Sequence, residues 1–171
     1  TQFVGTGSTS FDGTNDYIDC GNDTSLDTTS AITLSCWIKP SVLDETVNFV
    51  GRDDGTNRNY MLFLHSGDAK AYWYIFIGNS QKETVSTTSL VVGEWAHICG
   101  TYDGIRQKLY INGILEDDDA ETGLIDNDDV SFTIGAREAG ADRFLDGSMK
   151  NVAIWNRALT ATEVQNVMYK S

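Results

Sequence analysis

The sequence predicts an all-β domain that closes on one short helix. Three features carry this: short runs in which apolar and polar residues alternate, turns of Gly, Asn and Asp between them, and a last segment that switches to helical spacing. Gly occurs 16 times and Pro once. Short strands punctuated this way are the pattern of a sandwich or a barrel.

The elements follow in order. "SFDGTNDYIDCG" gives two short strands around a Gly-Thr-Asn turn. "AITLSCWIKP" puts Ile32, Leu34, Cys36 and Ile38 on one face and Thr33, Ser35, Trp37 and Lys39 on the other, and Pro40 stops it. "TVNFVGR" is a strand ahead of the polar loop "DDGTNRN". "YMLFLHSGDAKAYWYIFIGN" is a hairpin around Ser-Gly-Asp, and its second strand, apolar on both faces from Ala71 to Ile77, belongs in the middle of a sheet. "KETVSTT" reads as an edge strand. "EWAHICGTYDG", "QKLYING" and "ILEDD" form a meander, because Asp103-Gly104 and Asn112-Gly113 tolerate the positive φ of tight turns. "VSFTIGA" and "DRFLDGSMKNVAIWN" supply the last strands. In the helix, Thr160 and Glu163 form a capping box, Leu159 can staple against Val164, and Val164, Val167 and Met168 make the apolar stripe. So short a helix persists only when docked, and it is expected to cover an open end or edge of the sandwich.

The 171 residues suit a single domain, 1–171, with a proper core. Apolar residues make up 40% and aromatics 11%, too many for a disordered chain. No apolar run nears the ~20 residues that cross a bilayer, so membrane insertion is not expected. With no initiator Met and no signal peptide, Thr1 reads as the start of a mature chain or an excised module. The formal net charge of -13 repels phosphate backbones and anionic lipid, which disfavours nucleic acid. It suits a neutral ligand, a cation, a salty environment or plain solubility. Cys20, Cys36 and Cys99 are an odd count with no close pair of the metal-binding kind. They read as small buried residues, or as a Cys20–Cys36 disulfide with one thiol left over. Asn22-Asp23-Thr24 is a formal glycosylation sequon.

Four stretches resemble the laminin G-like, concanavalin A-like domains. Phe11, Gly13, Asp16 and Tyr17 match the opening motif. Trp95, His97, Thr101, Tyr102, Asp103 and Gly104 match a strand motif of the middle. Gly147 through Thr160 match the closing motif, with Met149 and Trp155 as substitutions and Lys150 where relatives carry an Asp. The resemblance spans Ser10 to about Val167. It implies a jelly-roll sandwich of two antiparallel sheets, with the final strand beside the first. It also implies a non-catalytic carbohydrate-binding or adhesion module of a larger extracellular or surface protein. The alternative is a structural or protein-interaction sandwich without a small ligand, as in a surface or viral assembly. Lys150 puts in doubt any structural ion that relatives hold with that Asp.

Sugar recognition needs aromatic faces and planar polar groups. On the central hairpin, Tyr72, Tyr74 and Phe76 share one face and Ala71, Trp73, Ile75 and Ile77 the other. The tyrosine face is the one expected in solvent, since each hydroxyl wants a partner. Loops at one rim offer Arg52, Asn57, Arg58 and Arg137 with Glu138, and Tyr60 and His65 complete the expected glycan site. Asp53, Asp54 and Asn57 are the candidate calcium ligands, though Ca²⁺ takes about 6–8 oxygens, "IDNDD" is a second oxygen-rich stretch, and such turns are usually only turns.

An enzyme is not expected. Related hydrolases carry a Glu-x-Asp-x-x-Glu strand, and "EDDDAE", Glu116 to Glu121, matches it by letter. The stretch lacks the intervening apolar residues that would anchor a catalytic strand and desolvate one carboxyl, so it reads as a solvated loop. His97 is expected to pack or bond to backbone, and no acyl-transfer or zinc-protease motif occurs.

Overall fold

The computed structural model describes residues 7–137 and 142–170. Its strands are β1 (Thr9–Asp12), β2 (Ile18–Asp19), β3 (Ile32–Pro40), β4 (Val47–Asp53), β5 (Arg58–His65) and β6 (Lys70–Ile77), then β7 (Ser80–Ser89), β8 (Ala96–Tyr102), β9 (Arg106–Ile111), β10 (Ile114–Ala120), β11 (Thr133–Ile134) and β12 (Asp146–Trp155). Helix α1 (Ala161–Tyr169) ends the chain, and a 3-10 turn spans Thr24–Leu26. The first sheet runs β1-β12-β3-β8-β9-β10 and the second β2-β11-β4-β5-β6-β7. All pairings are antiparallel. This is the jelly-roll sandwich, and the last strand does return beside the first: Met149 of β12 faces Thr9 on one side and Ile38 on the other.

The alternation expected of β3 holds. Ile32, Leu34, Cys36 and Ile38 are fully buried and face the second sheet. Each apolar side chain buried this way contributes about 1.5–3 kcal/mol. Trp73 of β6 crosses the interior to the first sheet. Its Nε1 donates to the Thr101 carbonyl at 3.3 Å, and Gln107 Nε2 donates to the Trp73 carbonyl at 2.6 Å. Gly100 of β8 makes room for the ring, since a Cβ there would come within 2.4 Å of it.

Helix α1 has the expected capping box between Thr160 and Glu163. It lies on the outer face of the first sheet, not at an end or edge. Leu159 and Val164 pack on Cys99 and Tyr110, with Trp155 and Val167 alongside. The reason is alternation in β8 and β9, which turns Cys99 and Tyr110 away from the interior and leaves an apolar surface to be covered. Thr33 fixes the approach: its hydroxyl donates to the Arg157 carbonyl at 2.8 Å and accepts from the Leu159 amide at 2.9 Å.

Four further expectations change. The two strands of "SFDGTNDYIDCG" form, but in opposite sheets. The "VSFTIGA" strand shrinks to the two residues of β11. No disulfide joins Cys20 to Cys36, and Cys20 is exposed while Cys36 and Cys99 are buried. The acidic stretch after Asn112-Gly113 is strand β10 through Ala120, not a loop. It pairs along β9 and its carboxylates reach across to β7, the far edge of the other sheet. Glu116 Oε2 accepts from the Thr87 and Thr88 amides at 3.0 and 2.9 Å and from the Thr87 hydroxyl. Asp117 Oδ2 accepts from the Val85 amide at 2.8 Å. These side chains satisfy donors that an edge strand leaves bare.

Candidate functional site

Strand parity sorts the central hairpin. β5 turns Tyr60, Leu62 and Leu64 into the core, and β6 turns Ala71, Trp73 and Ile75 the same way. Met61, Phe63 and His65 therefore face outward beside Tyr72, Tyr74 and Phe76. Phe63 is buried under the two tyrosines, with ring centroids 4.4 Å from Tyr74 and 5.1 Å from Tyr72. Tyr72 and Tyr74 stand nearly perpendicular, 6.0 Å apart, and are half-buried. His65 is exposed, 5.6 Å from Tyr72. The result is an aromatic surface with a buried floor and two partly open rings.

The turn end of this face is acidic. The Tyr72 hydroxyl donates to Asp68 Oδ2 at 2.6 Å, and Asp68 Oδ1 accepts from the Lys70 amide at 3.1 Å. Burial and the Asp68 carboxylate push the Tyr72 hydroxyl up to about 12. Burial, then Glu83, raise Tyr74 as well. Partial burial works to raise Asp68, but its bonds from Tyr72 and Lys70 outweigh it and hold the carboxyl below its ordinary value. A groove of about 670 Å³ adjoins Asp68, between Val42, Leu43 and Asp44 on one wall and Gly67, Asp68 and Ala69 on the other.

The opposite end of β5 lies seven residues away, roughly 24 Å along the strand. There Arg58 sits over Phe76, 5.6 Å from the ring centroid, and donates through Nε and Nη2 to the Gly55 carbonyl at 3.0 and 2.6 Å. A smaller pocket of about 240 Å³ opens among Gly55, Thr56, Arg58, Phe76 and Asn79. Arg137 lies against Gly55 and binds Asp142 through both Nε and Nη2. Asp54 accepts from the Thr56 and Asn57 amides and from Asn57 Nδ2, and Asp53 Oδ1 accepts from the Gly55 amide. Asp53 is buried, and desolvation raises its carboxyl against the Gly55 bond and the nearby Arg58, Arg137 and Arg143 guanidinium groups. Its Oδ2 has no hydrogen-bond partner among the described residues. No group of three or more His, Cys, Asp or Glu suited to a metal ion occurs among the described residues.

The structure thus divides the expected glycan site. His65, Tyr72 and Tyr74 come together at one end, while Asn57, Arg58 and Arg137 gather at the other. Arg52 and Tyr60 belong to neither. They face each other across β4 and β5, both are 1% exposed, and their polar atoms are spent on the protein. Arg52 bonds Asp27 at 2.6 Å and the Val130 and Asp128 carbonyls, and the Tyr60 hydroxyl donates to the Leu26 carbonyl at 2.8 Å. They anchor the loops that precede β3 and β11. Glu138 lies outside the described residues. Phe63 and Asp68 join the surface without having been expected, and Asp44 lines the groove beside Asp68. For Phe63 the signal was present, since it shares parity with His65. Asp44 and Asp68 become neighbours only through the turn geometry.

On the first sheet's outer face, Lys150 takes the place of the Asp found in the resembling motif. Its Nζ lies between two rings, 5.2 Å from Trp37 and 5.1 Å from Trp95.

Residues 12–165 match the family described as the concanavalin A-like lectin/glucanases superfamily, and the chain belongs to it. No curated protein matches the sequence significantly. Among solved structures, domain 4 of AbnA, a GH43 extracellular arabinanase from Geobacillus stearothermophilus solved with arabinotriose, is similar at a TM-score of 0.76 and 20% identity, covering 94% of this chain and 76% of that one. The CBM40 of the Ruminococcus gnavus IT-sialidase, bound to α2,3-sialyllactose, is similar at 0.77 and 11% identity, covering 94% and 96%. The binding domain of Paraclostridial Mosquitocidal Protein 1 is similar at 0.73 and 20% identity, covering 97% of this chain and 46% of that chain. At these identities the likeness is one of fold.

Proposed function

We propose that the domain binds a glycan, without catalysis, on the outer face of the second sheet at Tyr72 and Tyr74. The observation that carries this is the half-open tyrosine pair over buried Phe63, beside a groove and a carboxylate that accepts hydrogen bonds. Rings held rigid by a buried floor offer stacking area at little entropic cost, and carboxylates accept from sugar hydroxyls. Relatives of the same fold solved with arabinotriose and sialyllactose support the reading.

A binding role rather than hydrolysis fits the three carboxylates that match the hydrolase pattern. Glu116 holds β7, Asp118 pairs with Arg106 at 2.7 Å, and Glu121 pairs with Lys82 at 3.2 Å. Each is committed to its own partner. The proposed setting is an extracellular or surface-exposed module of a larger protein. No helix among the described residues is long and apolar enough to cross a membrane. At the calcium candidates, Asp53 Oδ1 and both Asp54 oxygens already accept turn bonds, so an ion there would share these groups with the turn. A melting temperature unchanged by chelator would remove the ion from the proposal.

The test is a glycan array followed by calorimetry on the best ligand. Tyr72→Ala and Tyr74→Ala should each weaken binding roughly tenfold or more while leaving the fold intact. A folded protein that binds no glycan overturns the proposal and leaves the structural or protein-interaction role.

A further inference from the structure

The two ends of the aromatic face differ in charge, and that difference bears on which sugars the tyrosine end accepts. Two carboxylates stand at Tyr72 and Tyr74, Asp68 bonded to Tyr72 and Glu83 paired in register with Tyr74, and Asp44 lines the groove that adjoins Asp68. Lys70, opposite His65 in register, is the one cation that the described residues place beside them. His65 flanks Tyr72. Its Nδ1 contacts the Ser66 carbonyl at 2.8 Å. A carbonyl only accepts, so Nδ1 donates to it. Tyr72 has already committed its proton to Asp68. The polar atoms turned toward a ligand here are therefore mostly acceptors, on a chain whose formal net charge is -13.

We infer that the ligand of this surface is an uncharged saccharide presenting adjacent hydroxyl donors, and that acidic sugars are excluded. This rests on the glycan reading above and narrows it. A hydroxyl pair can donate to both oxygens of one carboxylate while the ring covers Tyr72 or Tyr74. A sialic or uronic acid would bring its own carboxylate against Asp68 and Glu83 and find few donors to receive it. The other end of the face is built the opposite way. Arg58, Arg137 and Arg143 gather there around buried Asp53. Acidic sugars, were they bound, would be drawn to that end and not to the tyrosines.

The experiment is calorimetry on the whole chain with a matched pair, lactose and α2,3-sialyllactose, together with arabinotriose and an oligogalacturonate, at low and at high salt. The expected result is that a neutral member binds, and binds at least about tenfold tighter than its acidic counterpart at low salt. High salt should shrink the gap, because screening weakens the repulsion. Asp68→Asn should shrink it too, keeping the acceptor for Tyr72 while removing the charge. If an acidic member binds as tightly as the neutral ones or tighter, and Tyr72→Ala abolishes that binding while Arg58→Ala leaves it, the inference is overturned while the glycan reading stands. If no member binds, both fall.

Discussion

His97 shows what burial does to a single side chain. It is fully enclosed, its Nε2 meets the Ser35 hydroxyl at 2.8 Å, and the Trp37 ring lies 5.4 Å away. Its Nδ1 has no hydrogen-bond partner among the described residues. Desolvation lowers its pKa from 6.5 to about 4. A group whose folded pKa is depressed binds protons more readily in the unfolded chain, so stability is full above the unfolded value and is lost as pH falls through the window from 6.5 to about 4. Folding free energy from urea titrations should fall by roughly 1 kcal/mol per pH unit below about pH 6. His97→Gln should flatten that slope, and a wild-type curve already flat between pH 7 and 5 would refute the account. Side-chain direction was partly legible from sequence. Tyr60 and His65 are five apart, so a regular strand sends them to opposite faces and they never belonged in one site. Arg52 was not legible, because only the fold reveals that this arginine, expected at a loop rim, lies in β4 opposite Tyr60, turns inward with it and meets Asp27.

At the scale of the element, β10 is the instructive case. Its Glu-Asp-Asp-Asp run has no apolar alternation, so nothing local marks it as a strand. It becomes one by pairing with β9, with a shift of register between Leu115 and Asp117 that turns successive carboxylates toward β7. Tertiary pairing overrides the local pattern here, whereas β3 and the α1 capping box were readable because each is specified within its own few residues. Burial works to raise Glu116, but its bonds from Thr87 and Thr88 prevail and lower it. Its contribution is thus present above the ordinary carboxylate range and lost as pH falls through and below it, a more acidic window than that of His97. Glu116→Ala should speed hydrogen exchange at the Thr87 and Thr88 amides and leave Val85, held by Asp117, slower. Unchanged exchange at all three would show that β7 does not depend on this contact.

Across the whole molecule, the two sheets meet where Trp73 seats on Gly100. Backbone conformation is ordinary at this glycine, so the constraint is space alone. Gly100→Ala should destabilise the fold by roughly 1–3 kcal/mol or more by forcing the layers apart, with little change in the denaturant slope. A variant as stable as the parent would mean the ring can shift at no cost. The strands and their meander were legible because alternation and tight turns encode them, while the sandwich rather than a barrel, and the return of the last strand beside the first, came from the resemblance to the concanavalin A-like domains. The assignment of β1 and β2 to different sheets was not legible, since two short strands carry no record of their partners. Likewise the aromatic face could be found by parity, while the split into an acidic end and an arginine end needed the turns in place.

The placement of the tryptophans has a practical outcome. Trp73 is sealed in the interior, Trp37 and Trp95 flank Lys150, and Trp155 packs beside the helix, so no indole shares the surface formed by Phe63, Tyr72 and Tyr74. Indole fluorescence accordingly monitors unfolding and the helix-bearing side. A molecule arriving on the far side would meet phenol rings and the His65 imidazole but no indole, and tyrosine absorbance or ring-proton resonances are the signals with which to watch it arrive.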